Sequence, residues 1–327
     1  MSGWLLLSDR DGPVGHELPA MLAQGTLVVE LSWPLPVGVL LDWREPSGQA
    51  LSVFHHPASG IGLMWRDGSA LRRFLLPGPL RLDSRVARLI FHWNRVRARW
   101  TMRLEDGSGS TVAATAGLNP PALPAAMLLA LCAGQRVTRR EASVLWFGIR
   151  EADDLPARQP WIGIAVPVMT PAGPVPAGLL RPGQVVLTRD AGPLPLRAVR
   201  RSEMPSRGSH AVIVLRAPRH ARGMDLLVSA DQMVAVGGGE AEYLFGEDQV
   251  LVPACTLVDG RTALADNRRA TAAAVSLDLG RPHLLDCAGA GLLSAGLHAD
   301  APLRVLKEYE AVPLLLLLRR QRAIDAA

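Results

Sequence analysis

Short runs of alternating apolar and polar residues fill the first third of the chain. The runs are rich in β-branched and aromatic residues and are separated by turns that contain Gly, Pro or Asp. This rhythm is typical of an antiparallel β-sandwich, whose core we expect the strand tryptophans to supply. The predicted strands are Thr26–Trp33, Val39–Trp43, Gln49–His55, Gly62–Trp65, Leu71–Leu76, Val86–Trp93 and Ala98–Leu104. The tryptophans on them are Trp33, Trp43, Trp65, Trp93 and Trp100.

Residues 120–134 have a different pattern. Two prolines, Pro120 and Pro121, precede an Ala/Leu/Met run that ends at Gly134, which matches a helix with proline at its start and glycine past its end. The run is apolar nearly all round, so the helix is predicted to be buried. The polar, proline-containing stretch Arg150–Pro160 then predicts a linker. The first predicted domain therefore covers residues 1–150.

The second half of the chain again shows strand patterns. The terminal stretch Arg304–Leu318 is equally compatible with a helix or a long strand. The predicted strands are Gly183–Thr188, Val212–Leu215, Leu226–Ser229, Met233–Val236 and Val250–Val252. The sequence thus predicts a mainly β protein with two domains.

Composition and charge narrow the functional classes. Hydrophobic residues make up 49% of the chain, which is enough for sizeable cores. The net charge is +5, and Lys307 is the only lysine among the 35 basic residues. Because the arginines are scattered rather than gathered on one face, we expect no nucleic-acid partner.

Metal and cofactor sites are not expected. The chain has three cysteines, Cys132, Cys255 and Cys287, without metal-ligand or disulfide spacing, and Cys132 lies in an apolar run typical of a core. His55 and His56 are strand neighbours whose side chains point to opposite faces, so one is predicted to be packed and the other solvated.

Targeting signals are also not expected. The N-terminal residues lack a basic leader and cleavage site, and the apolar run Val312–Leu318 is too short to span a bilayer. We expect a protein without a signal peptide or transmembrane segment, either cytoplasmic or exported by a signal-free route.

Five segments of the second half occur in the order seen in one known family. They correspond to its "T-P-x-G" opening, its "V-x-x-L-x-x-G-D-x-V-x-T-x-D" box, the strand before an "S-P-x-H" turn, its "V-L-V-P-A-x-x-L-V-x-G" box and a closing "Y-E-A". The segments are Thr170–Pro176, Leu180–Asp190, Asp225–Ser229, Val250–Gly260 and Lys307–Ala311. The second half resembles the hedgehog/intein (Hint) family, in particular its bacterial branch found behind β-rich domains. The resemblance implies a Hint-type β domain over residues 161–318.

The family's self-processing chemistry makes specific positions important. A Cys, Ser or Thr at the first residue of the domain attacks the preceding carbonyl, and a histidine protonates the scissile nitrogen. The resemblance places Trp161 at the nucleophile and Gln232 at the histidine of the "S-P-x-H" turn. It places Ser276 and Pro282 on two further histidine positions, with His283 one residue away.

These replacements imply a degenerate autoprocessing site. An indole has no nucleophile for this step, and no Cys, Ser or Thr occurs between Glu151 and Val168. We therefore expect a non-enzymatic Hint-domain protein that acts as a binding or structural module. One alternative is active autoprocessing, with self-cleavage near residue 160 by an unrecognised nucleophile.

A second alternative is a glycan-binding adhesin acting through the sandwich. The segments Arg88–Trp93 and Arg99–Leu104 resemble a strand pair of the concanavalin-like and laminin-G-like jelly rolls that precede bacterial Hint domains. The mixture of arginines and aromatics over Arg85–Trp100 is, by strand alternation, predicted to mark a wet and a buried face. No acidic cluster suited to calcium is found. The resemblance supports a jelly-roll-like fold and leaves a glycan or a protein as the ligand.

Overall fold

The chain folds into two compact units. The computed structural model describes residues 3–10, 12–14, 17–107, 109–135, 138–151, 160–266, 268–296 and 300–325. The units are Met1–Arg158 and Gln159–Ala327. Most of the linker predicted at Arg150–Pro160 lies outside the described residues.

The N-terminal unit is a sandwich of two main antiparallel sheets. A six-stranded sheet has the order β1-β13-β3-β8-β9-β10, a five-stranded sheet has the order β12-β4-β5-β6-β7, and β2 pairs with β11. The strands are β1 Trp4–Leu7, β2 Met21–Leu22, β3 Gln24–Ser32, β4 Gly38–Arg44, β5 Ala50–His56, β6 Gly60–Asp67, β7 Ala70–Pro77, β8 Val86–Asn94, β9 Arg99–Glu105, β10 Thr111–Leu118, β11 Leu123–Pro124, β12 Thr138–Arg140 and β13 Val144–Arg150.

Alternating apolar residues from both sheets form one core. Leu27, Val29 and Leu31 of β3 lie in the same buried cluster as Val53 of β5 and Leu63 of β6. Residues two apart on a strand share a face, which explains how the sequence pattern builds this core. The seven strands predicted here, β3 to β9, are confirmed, whereas β1, β2, β10, β11, β12 and β13 were not predicted.

Trp33 and Trp100 are half-buried and pack against the core, as expected of the strand tryptophans. One detail of the predicted alternation is wrong. Arg88 is buried instead of facing solvent, with its guanidinium 3.9 Å from the Glu105 carboxylate. An ion pair within reach lowers the cost of burying this arginine, so simple alternation fails on β8.

Helix α1 occupies Ala125–Cys132, inside the segment predicted to be helical. Pro124 stands at its N-cap. Met127, Leu128 and Leu131 join the sandwich core. The helix is therefore held by burial of its apolar side chains rather than by polar caps.

The C-terminal unit contains two six-stranded antiparallel sheets and a hairpin. The sheet orders are β19-β25-β14-β21-β20-β24 and β18-β17-β26-β27-β22-β23, and β15 pairs with β16. The strands are β14 Ile162–Gly163, β15 Pro167–Thr170, β16 Gly173–Pro176, β17 Val185–Thr188, β18 Gly192–Pro195, β19 Ala198–Pro205, β20 Val212–Leu215, β21 Leu226–Ser229, β22 Met233–Gly237, β23 Gln249–Pro253, β24 Ala263–Asp266, β25 Thr271–Asp278, β26 Leu284–Cys287 and β27 Ala290–Leu293.

Helices α2 (Gly239–Phe245) and α3 (Glu308–Asp325) complete this unit. The ambiguity at Arg304–Leu318 is resolved as a loop that leads into α3. Val186, Val234 and Val275 come from both sheets and lie in one buried cluster. The prediction of a mainly β protein with a sandwich and a second β unit is confirmed. None of the described helices is both long enough and apolar enough to cross a bilayer.

Candidate functional site

The Pro160–Trp161 peptide bond lies where the chain enters the first sheet of the C-terminal unit. The next two residues form β14, which is central in the sheet because Ile162 pairs with Val228 of β21 and with Val275 of β25. Strands on both sides therefore fix the position of this peptide bond. Its neighbours come from the ends of β21 and β25.

The Trp161 side chain is part of the core. The indole is 3% exposed and lies in a buried cluster with Met204, Val212 and Ala272. Large buried aromatic side chains contribute strongly to stability. Packing is thus the role that the structure shows for the side chain at the predicted nucleophile position.

Two serine hydroxyls bind the Pro160–Trp161 peptide bond. The Trp161 N–H donates to Ser229 Oγ at 3.1 Å, and Ser276 Oγ donates to the Pro160 carbonyl oxygen at 3.0 Å. The Ser229 N–H donates in turn to the Trp161 carbonyl at 2.9 Å. Both polar groups of this peptide bond are therefore satisfied, as buried backbone groups generally are.

Gln232 lies beside this peptide bond, on the turn after β21. Its Nε2 donates to the carbonyl oxygens of Met233 at 3.1 Å and of Leu293 at 2.8 Å. Its backbone N–H donates to the Ser229 carbonyl at 3.1 Å, which closes the turn. The side chain is buried, and its amide protons are used to join β22 to the end of β27.

A cavity of only about 10 Å³ remains at this point. Trp161, Gln232 and Ser294 are among the residues that line it. A cavity of this size is at the lower limit for one water molecule. We call it the Trp161 cavity.

No hydrogen bond among the described residues joins His283 or Pro282 to the Pro160–Trp161 peptide bond. His283 Nδ1 is 2.7 Å from Asp190 Oδ2, and Arg281 Nε donates to His283 Nε2 at 3.2 Å. Pro282 packs so closely on Gly296 that a Cβ there would lie 2.6 Å from the proline ring. The structure therefore brings Trp161, Gln232 and Ser276 to one peptide bond, whereas the His283 ring hydrogen-bonds to Asp190 and Arg281.

The histidine pair His55 and His56 lies in the sandwich, where the two side chains differ in burial. His55 is buried and its Nδ1 lies 3.0 Å from the Pro36 carbonyl, whereas His56 is exposed, so the prediction for this pair is confirmed. Within the described residues, no three His, Cys, Asp or Glu side chains are grouped as metal ligands would be.

The three thiols differ in their surroundings. Burial raises the pKa of Cys132 to about 12, with a smaller effect from Asp9. Burial also raises the pKa of Cys287, whereas Cys255 is exposed. The prediction that Cys132 is a core residue is confirmed.

Residues 165–292 match the family model described as "Hint domain". The C-terminal unit contains a Hint domain. The match begins after Trp161, and it includes Ser229, Gln232 and Ser276. No curated protein matches the chain.

Comparison with solved structures finds several that are similar to this chain at low identity. The CBM40 of a Ruminococcus gnavus sialidase, bound to alpha2,3 sialyllactose, is 14% identical over 41% of this chain and 78% of that chain, with a TM-score of 0.27. The AceL NrdHF class 3 split intein is 11% identical over 42% and 99% of the two chains, with a TM-score of 0.29. The LG1-3 region of the laminin alpha2 chain is 9% identical over 91% and 57%, with a TM-score of 0.27. Function must come from the site itself, because one fold supports many functions.

Sequence reasoning missed the contact roles of Ser229 and Ser294. Ser229 occupies the first position of the turn that resembles "S-P-x-H", so its proximity to Trp161 had a signal in the sequence. Ser294 Oγ accepts the His283 N–H at 2.9 Å and lines the Trp161 cavity. No motif marks Ser294, since its neighbours are distant in sequence.

Proposed function

We propose that this Hint domain does not process itself and that it serves as a structural or binding module. The observation that carries the proposal is the set of contacts around the Pro160–Trp161 peptide bond. Self-processing requires a nucleophile that attacks the Pro160 carbonyl carbon and an acid that protonates the Trp161 nitrogen. The groups that lie there suit neither role.

The two serines hold the intact peptide bond in its ground state. The Ser276 hydroxyl donates a hydrogen bond to the Pro160 carbonyl oxygen, and Ser229 Oγ accepts a hydrogen bond from the Trp161 N–H. A nucleophilic serine needs a base to take its proton. The described contacts of these hydroxyls include no such base, so we infer that they stabilise the peptide bond.

An acid for the departing nitrogen is also missing from these contacts. Gln232 is a carboxamide, which does not release a proton near neutral pH, and its N–H groups are used on two carbonyls. The His283 ring is engaged at both nitrogens by Asp190 and Arg281. This arrangement supports a domain that retains the Hint fold without the processing reaction.

Intact-mass spectrometry of the purified full chain tests the proposal. We expect one species of 35.0 kDa after long incubation at neutral pH, with or without a thiol or hydroxylamine. Both reagents cleave the thioester or ester that self-processing would form. A pair of fragments separated at residues 160 and 161 would contradict the proposal and support active autoprocessing instead.

Two variants identify the nucleophile if fragments are seen. Ser276→Ala and Ser229→Ala each remove one hydroxyl beside the peptide bond. Abolition of cleavage by either change would assign the reaction to that serine. Cleavage that persists in both variants would point to contaminating proteolysis, which a protease-inhibitor arm would stop.

Glycan binding through the sandwich stays a prediction. Trp93, which lies in the segment that motivated it, is fully buried, and its Nε1 donates to the Leu22 carbonyl. Trp93→Ala would therefore test stability rather than binding. A glycan array is better controlled by the half-buried Trp33 and Trp100. Loss of an array signal in Trp33→Ala or Trp100→Ala would support this alternative, and silence of the wild-type chain would count against it.

A further inference from the structure

We propose that the C-terminal unit binds a small tetrahedral oxyanion, a phosphate or sulfate group, in a second cleft. This arginine cleft is lined by Arg189, Arg219, His220, Gly237 and Gly291, among other residues. Its volume is about 170 Å³. The site is separate from the Trp161 cavity, which shares none of these residues.

Two arginines approach the cleft from different parts of the chain. Arg189 follows β17, and its backbone N–H donates to the Leu284 carbonyl, which anchors it beside β26. Arg219 lies in the segment between β20 and β21. A third, Arg222, is fixed at the adjoining turn because its N–H donates to the Ala288 carbonyl. Guanidinium groups suit phosphate and sulfate because their planar donors match two oxygens at once.

Glycines allow these arginines to lie flat on the β26–β27 hairpin. A Cβ at Gly291 would be 3.2 Å from Arg189 Nη1, and a Cβ at Gly289 would be 3.3 Å from Arg222 Cγ. Gly289 also has a φ of +85°, which side chains disfavour. The hairpin backbone is therefore shaped to accept the two arginine side chains.

The positive charge of this cleft is not neutralised within the described part of the chain. Neither Arg189, Arg219 nor Arg222 forms an ion pair there. The nearby Asp286 instead accepts the Gly289 N–H through Oδ1 at 3.0 Å. Grouped guanidinium groups repel one another, and an anion between them would relieve that repulsion.

The His220 ring also lines the cleft, and its orientation is held by a chain of contacts through Thr262 to Asp259. Its Nε2 lies 3.4 Å from Thr262 Oγ1, and Thr262 Oγ1 donates to Asp259 Oδ2 at 2.7 Å. Burial alone would raise the pKa of Asp259, but hydrogen bonds from the N–H groups of residues 261–263 and from the Thr262 hydroxyl hold it below its usual range. The ionised carboxylate accepts a hydrogen bond from the Thr262 hydroxyl, so the Thr262 oxygen presents a lone pair to His220.

The size of the cleft limits its ligand. Pockets for drug-sized molecules measure about 300–1,000 Å³. A cleft of about 170 Å³ instead fits one phosphate or sulfate group, either free or as the end of a larger ester.

Isothermal titration calorimetry of the full chain tests this site, at constant ionic strength set with chloride. The probes are inorganic phosphate, sulfate and glycerol 3-phosphate. We expect saturable binding of at least one probe, weakened about tenfold or more in Arg189→Gln and in Arg219→Gln. Tighter binding of glycerol 3-phosphate than of phosphate would identify an ester as the ligand, and the reverse order would identify the free ion.

The matched control is Arg181→Gln, which removes the same charge from an exposed arginine of the same unit outside the cleft. We expect it to bind as the wild type does. Thermal unfolding of each variant checks the fold. Absence of saturable binding, or equal weakening in Arg181→Gln and Arg189→Gln, would overturn the proposal.

Discussion

The Trp161 cavity and the arginine cleft lie in the same unit but differ in how their polar groups are used. Around the Trp161 cavity, serine hydroxyls and the Gln232 amide bind main-chain groups, and about 10 Å³ is left. In the arginine cleft, Arg189 and Arg219 surround about 170 Å³ without ion pairs among the described residues. Polar groups that hydrogen-bond within the protein stabilise the fold, whereas charged groups without an ion pair in the protein are available to bind a ligand.

The largest expected effect comes from removing the indole beside the Trp161 cavity. Trp161→Ala should lower the free energy of unfolding by about 3–5 kcal/mol, because it empties a buried cluster. Urea unfolding followed by circular dichroism measures the change. Tyr243, which is 81% exposed in the same unit, is the control, and Tyr243→Ala should change it by less than about 0.5 kcal/mol. Equal effects of the two changes would refute the structural role of Trp161.

A smaller decrease in the free energy of unfolding is expected from changes at Gln232. Gln232→Ala leaves the Met233 and Leu293 carbonyls without this donor and should cost about 1–3 kcal/mol in the same urea experiment. Gln232→Glu keeps the size but replaces a donor with an acceptor, so it should cost at least as much at neutral pH. The exposed Gln135, in the N-terminal unit, serves as the control position. A neutral effect of both Gln232 changes would mean that these hydrogen bonds add nothing.

The smallest expected effect on stability concerns Arg268, which forms an ion pair, unlike the arginines of the cleft. Arg268 donates to Asp266 at 2.9 Å, and this bond lowers the pKa of Asp266 to about 2, against the opposing effect of burial. A lowered folded-state pKa stabilises the protein above the unfolded value near 4, and the gain is lost as pH falls towards 2. Because Arg268 is exposed, solvent screens this interaction, and its contribution to stability should be the smallest of the three.

Unfolding at pH 7 and at pH 2.5 measures that contribution. Asp266→Asn should reduce the difference in stability between the two pH values, and Arg268→Gln should do the same. Arg189→Gln, which removes no ion pair among the described residues, should leave the difference unchanged. A decrease in Arg189→Gln equal to that in Arg268→Gln would contradict the contrast between paired and unpaired arginines.

Local pattern predicted much of the fold. Strands such as Val212–Leu215 and Leu226–Ser229 match their predicted ends, because an apolar run with turn residues on both sides determines them. β10 was missed because its Ala, Gly and Thr residues give little hydrophobic signal. β13 was missed because nearly all of its residues are buried, so the polar half of the alternation is absent.

The residues of the candidate site were predictable only where the order of the family motifs along the chain marked them. The family order placed Trp161, Gln232 and Ser276, and the structure gathers all three around one peptide bond. The contact of His283 with Asp190 was not predictable, since the two residues lie 93 positions apart. The arginine cleft was missed for the same reason. Its lining residues come from five separate segments, and its arginines look in the sequence like the scattered arginines found elsewhere.

The exposed thiol of Cys255 gives the molecule a natural attachment point. Its backbone N–H donates to the Ala230 carbonyl, on the turn that carries Gln232. Cys132 and Cys287 are buried and have raised pKa values, so a maleimide dye reacts first at Cys255. A fluorophore placed there sits beside the turn that carries Gln232 and reports on rearrangements of that turn in the unmutated chain.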